Sequence, residues 1–103
     1  MAAEYLLNKG YKVIERNLRL DYGEIDILAQ KGQTIVLTEV KTVRGSGFGL
    51  AQELVRSKKQ DKLRLLSRYL EQQYPKSPIR IDVIGVDMSS DEPKIEHIEN
   101  AVC

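Results

Sequence analysis

Cysteine and histidine are nearly missing from this chain. Cys103, the last residue, is the only cysteine, which excludes an intrachain disulfide and a cysteine-rich zinc centre. A cytoplasmic location is the default expectation for such a chain. His97 is the only histidine, which weakens any histidine-based catalytic dyad or zinc site. No apolar run approaches the ~20 residues that a membrane helix needs, so no membrane partner is expected. The opening Met1-Ala2-Ala3-Glu4-Tyr5 lacks the basic start and long apolar stretch of a signal peptide. A large charge of one sign is absent too. The net charge of +1 argues against a polyanion binder along the whole sequence. There is no internal repeat, low-complexity tract or linker.

What is present suits one ordinary globular domain over residues 1–103. The chain is 42% apolar and 30% charged, and its 103 residues suffice for one core but not two. The most informative segment is Gly23-Glu24-Ile25-Asp26-Ile27-Leu28-Ala29, followed by Ile35-Val36-Leu37-Thr38-Glu39-Val40-Lys41. Both runs are β-branched and apolar apart from their ionisable groups, and Gln30-Lys31-Gly32-Gln33 between them is a hairpin signal. Side chains alternate between sheet faces, so Glu24 and Asp26 share a face, as do Glu39 and Lys41. With Gly32-Gln33 as the central turn residues, Lys31 pairs with Thr34 and Asp26 lies opposite Glu39. With Lys31-Gly32 central, Asp26 faces Leu37 and lies diagonal to Glu39. Either register puts the two carboxylates on one face. Opposed side chains there sit about 5 Å apart at Cβ. Two carboxylates so close repel unless a proton or cation lies between them. A hard divalent ion such as Mg²⁺, or Mn²⁺, resolves the conflict.

The pattern of Asp26, a turn, and then Glu39-Val40-Lys41 resembles the PD-(D/E)xK signature of restriction-endonuclease-fold nucleases. More closely, Gly23 to Ala29 together with Thr38-Glu39-Val40-Lys41-Thr42 resembles the YraN-like family of small bacterial proteins, whose pattern is related to that of Holliday-junction resolvases. Tyr5-Leu6, Lys9-Gly10-Tyr11, Phe48-Gly49 and Arg80-Ile81-Asp82-Val83-Ile84 extend the match over most of the chain. The resemblance implies a metal-dependent nuclease acting on DNA, with structured or branched DNA as one substrate class. It implies Asp26 and Glu39 as metal ligands, completed by the backbone carbonyl of Val40. Lys41 would position the attacking water and offset charge developing on the phosphate. Glu24 is either an accessory acid or a partner for Lys41. A salt bridge from Asp26 to Lys41 is the plain structural alternative. Aligned on Tyr5-Leu6, the helical glutamate of the family pattern falls before Met1, and the arginine after Glu-x-Lys is Arg44, displaced by Val43.

Charge is unevenly distributed. Between Glu53 and Arg68 stand Arg56, Lys58, Lys59, Lys62, Arg64 and Arg68, against only Glu53 and Asp61. Lys58, Lys59 and Lys62, with Arg44, are the expected phosphate contacts, and a solvated helix face is the alternative. A homodimer would double the surface offered to DNA. The three glycines of Gly45-Ser46-Gly47-Phe48-Gly49 suggest a mobile loop beside the site or a plain connector, and no P-loop lysine follows.

Helices are expected at Ala2–Asn8 and after the Ser57-Lys58-Lys59-Gln60 capping box, with a brief helical turn from Leu50 to Val55. The long helix carries Leu63, Leu66, Leu70 and Tyr74 as a core stripe and ends before Pro75. Strands are expected at Tyr11–Arg19, on both arms of the hairpin, at Ile79–Met88 and, as an edge, at Lys94–Ile98. The crossover through the long helix makes the Glu39 and Ile79 strands parallel. The expected fold is therefore α/β, in the order α-β-β-β-α-β-β: a restriction-endonuclease-like mixed sheet flanked by helices. Asp82 reads as structural, since nothing ties it to the hairpin face. Two other functions compete with the nuclease: a non-catalytic nucleic-acid-binding module of the same fold, and a protein-interaction adaptor.

Overall fold

Ala2–Asn8 forms the first helix, α1, because Ala2, Ala3 and Leu6 fall on one face and bury there. Gly10 ends it at φ 89°, a left-handed conformation that glycine adopts without a Cβ penalty. The Gly10 N–H then bonds the Leu7 carbonyl at 3.1 Å and the Tyr11 N–H bonds the Leu6 carbonyl at 3.0 Å. This paired closure satisfies the helix's last carbonyls and turns the chain back under α1, which buries Tyr11. The computed structural model describes residues 1–21, 23–43 and 59–101, with Val43, Lys59 and Gln60 described in backbone only. The expected helical turn, glycine-rich loop and capping box fall outside these residues, as do Arg44 and Lys58.

Five strands form one sheet in the order β1-β2-β3-β4-β5: Lys12–Leu20, Gly23–Lys31, Thr34–Val43, Ile79–Asp87 and Lys94–Ile98. The β2–β3 hairpin turns on Gly32 and Gln33, with Lys31 paired to Thr34 and Gly32 at φ 60°. That is the first of the two registers considered. Lys59–Gln73 forms α2, which carries the chain from β3 to a parallel β4, and β5 closes the sheet as an antiparallel edge. The element order and the mixed sheet are those of a restriction-endonuclease-like α/β fold.

The alternation along β3 separates two cores. Val36 packs with Ala2, Ala3, Leu6 and Tyr11 on the α1 side, while Ile35 and Leu37 pack with Leu63, Leu66 and Leu70 on the α2 side. Glu39 therefore belongs to the α2 face and Asp82, paired with Thr38, to the α1 face. Each leucine of the α2 stripe is at most 3% exposed, and each such burial contributes roughly 1.5–3 kcal/mol.

Candidate metal site and a buried polar cluster

The regular β2–β3 ladder stops at Ile27 and Thr38. Continued, it would pair Ile25 with Val40. Instead the Val40 N–H donates to the Asp26 Oδ2 at 2.8 Å, so a carboxylate replaces the missing backbone acceptor. The side-chain alternation also slips here. Ile27 and Ala29 pack on the α1 side, and strict alternation would send Ile25 with them, yet Ile25 packs on the α2 side. The two strands part at Asp26, and the fork opens a hollow.

That hollow, about 210 Å³, is lined by Glu24, Asp26, Glu39, Lys62, Leu63 and Leu66. Asp26 and Glu39 are both half-buried. Asp26 also lines a second hollow of about 340 Å³, with Met1, Ala2 and Ala3 at the start of α1 and Arg16, Asn17, Ile27 and Val40. Glu24 faces Arg19 across β1–β2, and their side chains approach to 3.8 Å. Its partner is therefore Arg19, not the Lys41 considered from sequence. Among the described residues no Asp26–Lys41 ion pair forms. No three Asp, Glu, His or Cys side chains there are grouped to hold a metal either. The acidic pair with oxygen donors still suits Mg²⁺, which binds through one or two carboxylates and keeps several waters. Lys41 is exposed, one pleat beyond Glu39 on the same side of β3, and does not line the hollow. The Lys62 stem crosses directly over Gly23, occupying the space a Cβ at that position would need.

On the other face lies a cluster that sequence reading missed. Asp82 is fully buried and accepts four hydrogen bonds: two from Arg80 at 2.8 and 2.9 Å, one from His97 at 2.7 Å and one from the Asn100 N–H at 3.1 Å. With Asp82 as its acceptor, Nε2 carries a hydrogen, and the Tyr5 hydroxyl lies 3.3 Å from Nδ1. Arg80 also donates to the Tyr11 hydroxyl at 2.6 Å, which donates to Glu99 at 3.2 Å. The Asp82 hydrogen bonds push the Arg80 guanidinium above its ordinary value. Burial, then the charges of Glu99 and Asp82, push the Tyr5 hydroxyl up; burial outweighs Arg80 in pushing up that of Tyr11. The available signal was the Arg80-x-Asp82 spacing, which puts both on one face of β4, with His97 on the neighbouring strand.

A model of the uncharacterised protein family UPF0102 matches residues 1–86. The chain belongs to this family. It is the YraN-like family that the hairpin pattern resembles. A UPF0102 protein of Thermodesulfovibrio yellowstonii is 45% identical over 105 residues, covering 98% of this chain and 88% of the relative. One from Dehalococcoides mccartyi is 42% identical, covering 99% and 86%, and one from Rhodococcus opacus 40%, covering 98% and 88%. In this UPF0102 member Asp26, Glu39 and Glu24 meet at one hollow with Lys62, whereas Asp82 stands on the opposite face. No helix among the described residues is long and apolar enough to cross a membrane.

Proposed function

We propose that the chain is a metal-dependent nuclease that hydrolyses DNA phosphodiester bonds, with structured or branched DNA as substrate. The observation carrying this reading is the fork at Asp26, which brings Asp26 and Glu39 to one hollow beside Lys62. Asp26 and Glu39 would hold Mg²⁺ or Mn²⁺. Val40 supports this as a third oxygen donor: in a strand the N–H and C=O of one residue leave on the same side, so its carbonyl faces the same gap. The bound ion would supply an activated water and a counter-charge for the phosphate. Lys62 draws the DNA backbone over the hollow. Lys41, one pleat beyond Glu39 on the same side of β3, would serve the charge that develops as the bond breaks. A cytoplasmic location goes with a DNA substrate, and a homodimer would present two such hollows to a branched one.

Titration calorimetry with Mg²⁺ and Mn²⁺ tests the ion, and a panel of duplex, single-stranded, flapped and four-way DNA tests the chemistry. Asp26→Asn is the clean variant, because its amide oxygen still accepts the Val40 N–H. Ion binding and cleavage should both vanish in it. Lys41→Ala should retain ion binding while cleavage falls by ~10²–10³. A wild-type chain that binds DNA and cleaves none of the panel would replace this reading with a binding module. Among the described residues no three Asp, Glu, His or Cys side chains are grouped to hold a metal, which favours that second reading. A chain that binds neither ion nor DNA would leave the interaction adaptor.

A further inference from the structure

We propose that the hollow between α1, the β2–β3 turn and β5 binds a phosphate monoester of nucleotide size, a site separate from the fork at Asp26. It is about 340 Å³ and is lined by Tyr5, Lys9, Tyr11, Lys31, His97 and Glu99. That volume falls within the range of about 300–1,000 Å³ usual for small-molecule sites.

The lysines point to the ligand. Lys31 Nζ stands 4.7 Å from the centre of the Tyr11 ring, and Lys9 Nζ stands 5.7 Å from that of Tyr5. The aromatic faces hold both ammonium groups at the mouth of the hollow. Neither lysine has a carboxylate partner among the described residues. Behind them the charges of Arg80 and Asp82 offset each other in a 2.8 Å pair. Glu99 is engaged by Tyr11 and lies 3.8 Å from Arg80. The lining itself thus carries two cations against one anion, with both cations open to a ligand. A dianionic phosphate matches two ammonium groups better than a single carboxylate does.

The floor adds selectivity. The Tyr5 hydroxyl is fixed by His97, which is in turn fixed by buried Asp82, so the hydroxyl lies in one place at the base of the hollow. Glu99 remains an acceptor at the rim, with a side chain 56% exposed, and suits a sugar hydroxyl or a base amine. A nucleotide supplies both chemistries. The inference does not depend on the nuclease reading, because this hollow shares no lining residue with the one at Asp26 and Glu39.

Titration followed by amide and histidine-ring NMR tests it. Inorganic phosphate and AMP should shift the resonances of Lys9, Tyr11, Lys31 and Glu99 saturably, and adenosine should not. The His97 Nδ1 resonance should move with them, since an anion competes for the Tyr5 hydroxyl that lies 3.3 Å from this nitrogen. Lys9→Gln with Lys31→Gln should weaken binding by about tenfold or more. Lys12→Gln, an exposed lysine outside the hollow, and Asp26→Asn should leave it unchanged. A short oligonucleotide with and without a 5′-phosphate separates the sources. Binding of the phosphorylated strand in preference to AMP assigns the ligand as a strand end, and the reverse assigns a free nucleotide. The proposal is overturned if millimolar phosphate and both phosphate esters give no saturable shift, or if the double lysine variant binds as the wild type does.

Discussion

Asp82 concentrates more of the molecule's polar bonding than any other side chain described above. A buried carboxylate costs several kcal/mol in lost solvation, and here four donors offset that cost. Removing it takes the acceptor from Arg80 Nε, His97 Nε2 and the Asn100 N–H. Asp82→Ala should therefore lower stability by about 3–5 kcal/mol, read from urea unfolding. Thr38 gives the opposite expectation. Its side chain is wholly buried, and its Oγ1 has no hydrogen-bond partner among the described residues. Replacing the hydroxyl by a methyl removes an uncompensated polar group, so Thr38→Val should raise stability by about 1 kcal/mol in the same measurement.

At the scale of elements, the contact between α2 and the start of β2 sets the electrostatics of the fork. The Lys62 stem runs over Gly23, and glycine leaves room for it. In Gly23→Ala the new methyl meets the lysine methylenes, and a flexible side chain yields by swinging away. On the nuclease reading the displaced ammonium costs DNA affinity, and because Gly23 sits at φ 156°, a conformation that side chains rarely adopt, Gly23→Ala should also lower stability. Gly23→Ala and Lys62→Gln should each lower the slope of log affinity against log salt by about 0.9, the value of one duplex phosphate contact. The double variant should lose no more than either alone, since both remove the same ammonium. Equal slopes in all four proteins would show Lys62 to be merely a solvated helix residue. The seat of α2 rests on its leucines. Leu66→Ala, at a position 1% exposed, should cost about 2–5 kcal/mol in unfolding.

For the whole molecule, the raised tyrosine hydroxyls predict alkaline sensitivity. Tyr5 and Tyr11 stay protonated in the fold above the pH at which the unfolded chain begins to lose those protons. Their stabilisation is complete below about pH 10, the ordinary tyrosine value. Above it the unfolded state binds fewer protons, so stability falls as pH rises. Unfolding free energies measured from neutral pH to about pH 11 should show this fall. Tyr5→Phe should be less stable at neutral pH, having lost its bond to His97, and should decline less steeply on the alkaline side.

Local physics made much of this architecture legible from the chain alone. Alternation marked the strands, the spacing of Leu63, Leu66 and Leu70 marked the α2 face, and Gly32 marked the turn, because each of these depends only on near neighbours. The length of the crossover required β3 and β4 to be parallel. The chain alone left the hairpin register open between two turns, and it left the partner of Glu24 open as well. Sheet pairing decided both, by placing Lys31 against Thr34 and Arg19 against Glu24. The slip at Asp26 was invisible beforehand, since an ideal strand carries no record of where its neighbour departs. His97 looked like a lone histidine of little consequence. Its meaning arises from Asp82, fifteen residues away along the chain and 2.7 Å away in space, and only the antiparallel pairing of β4 with β5 brings the two together.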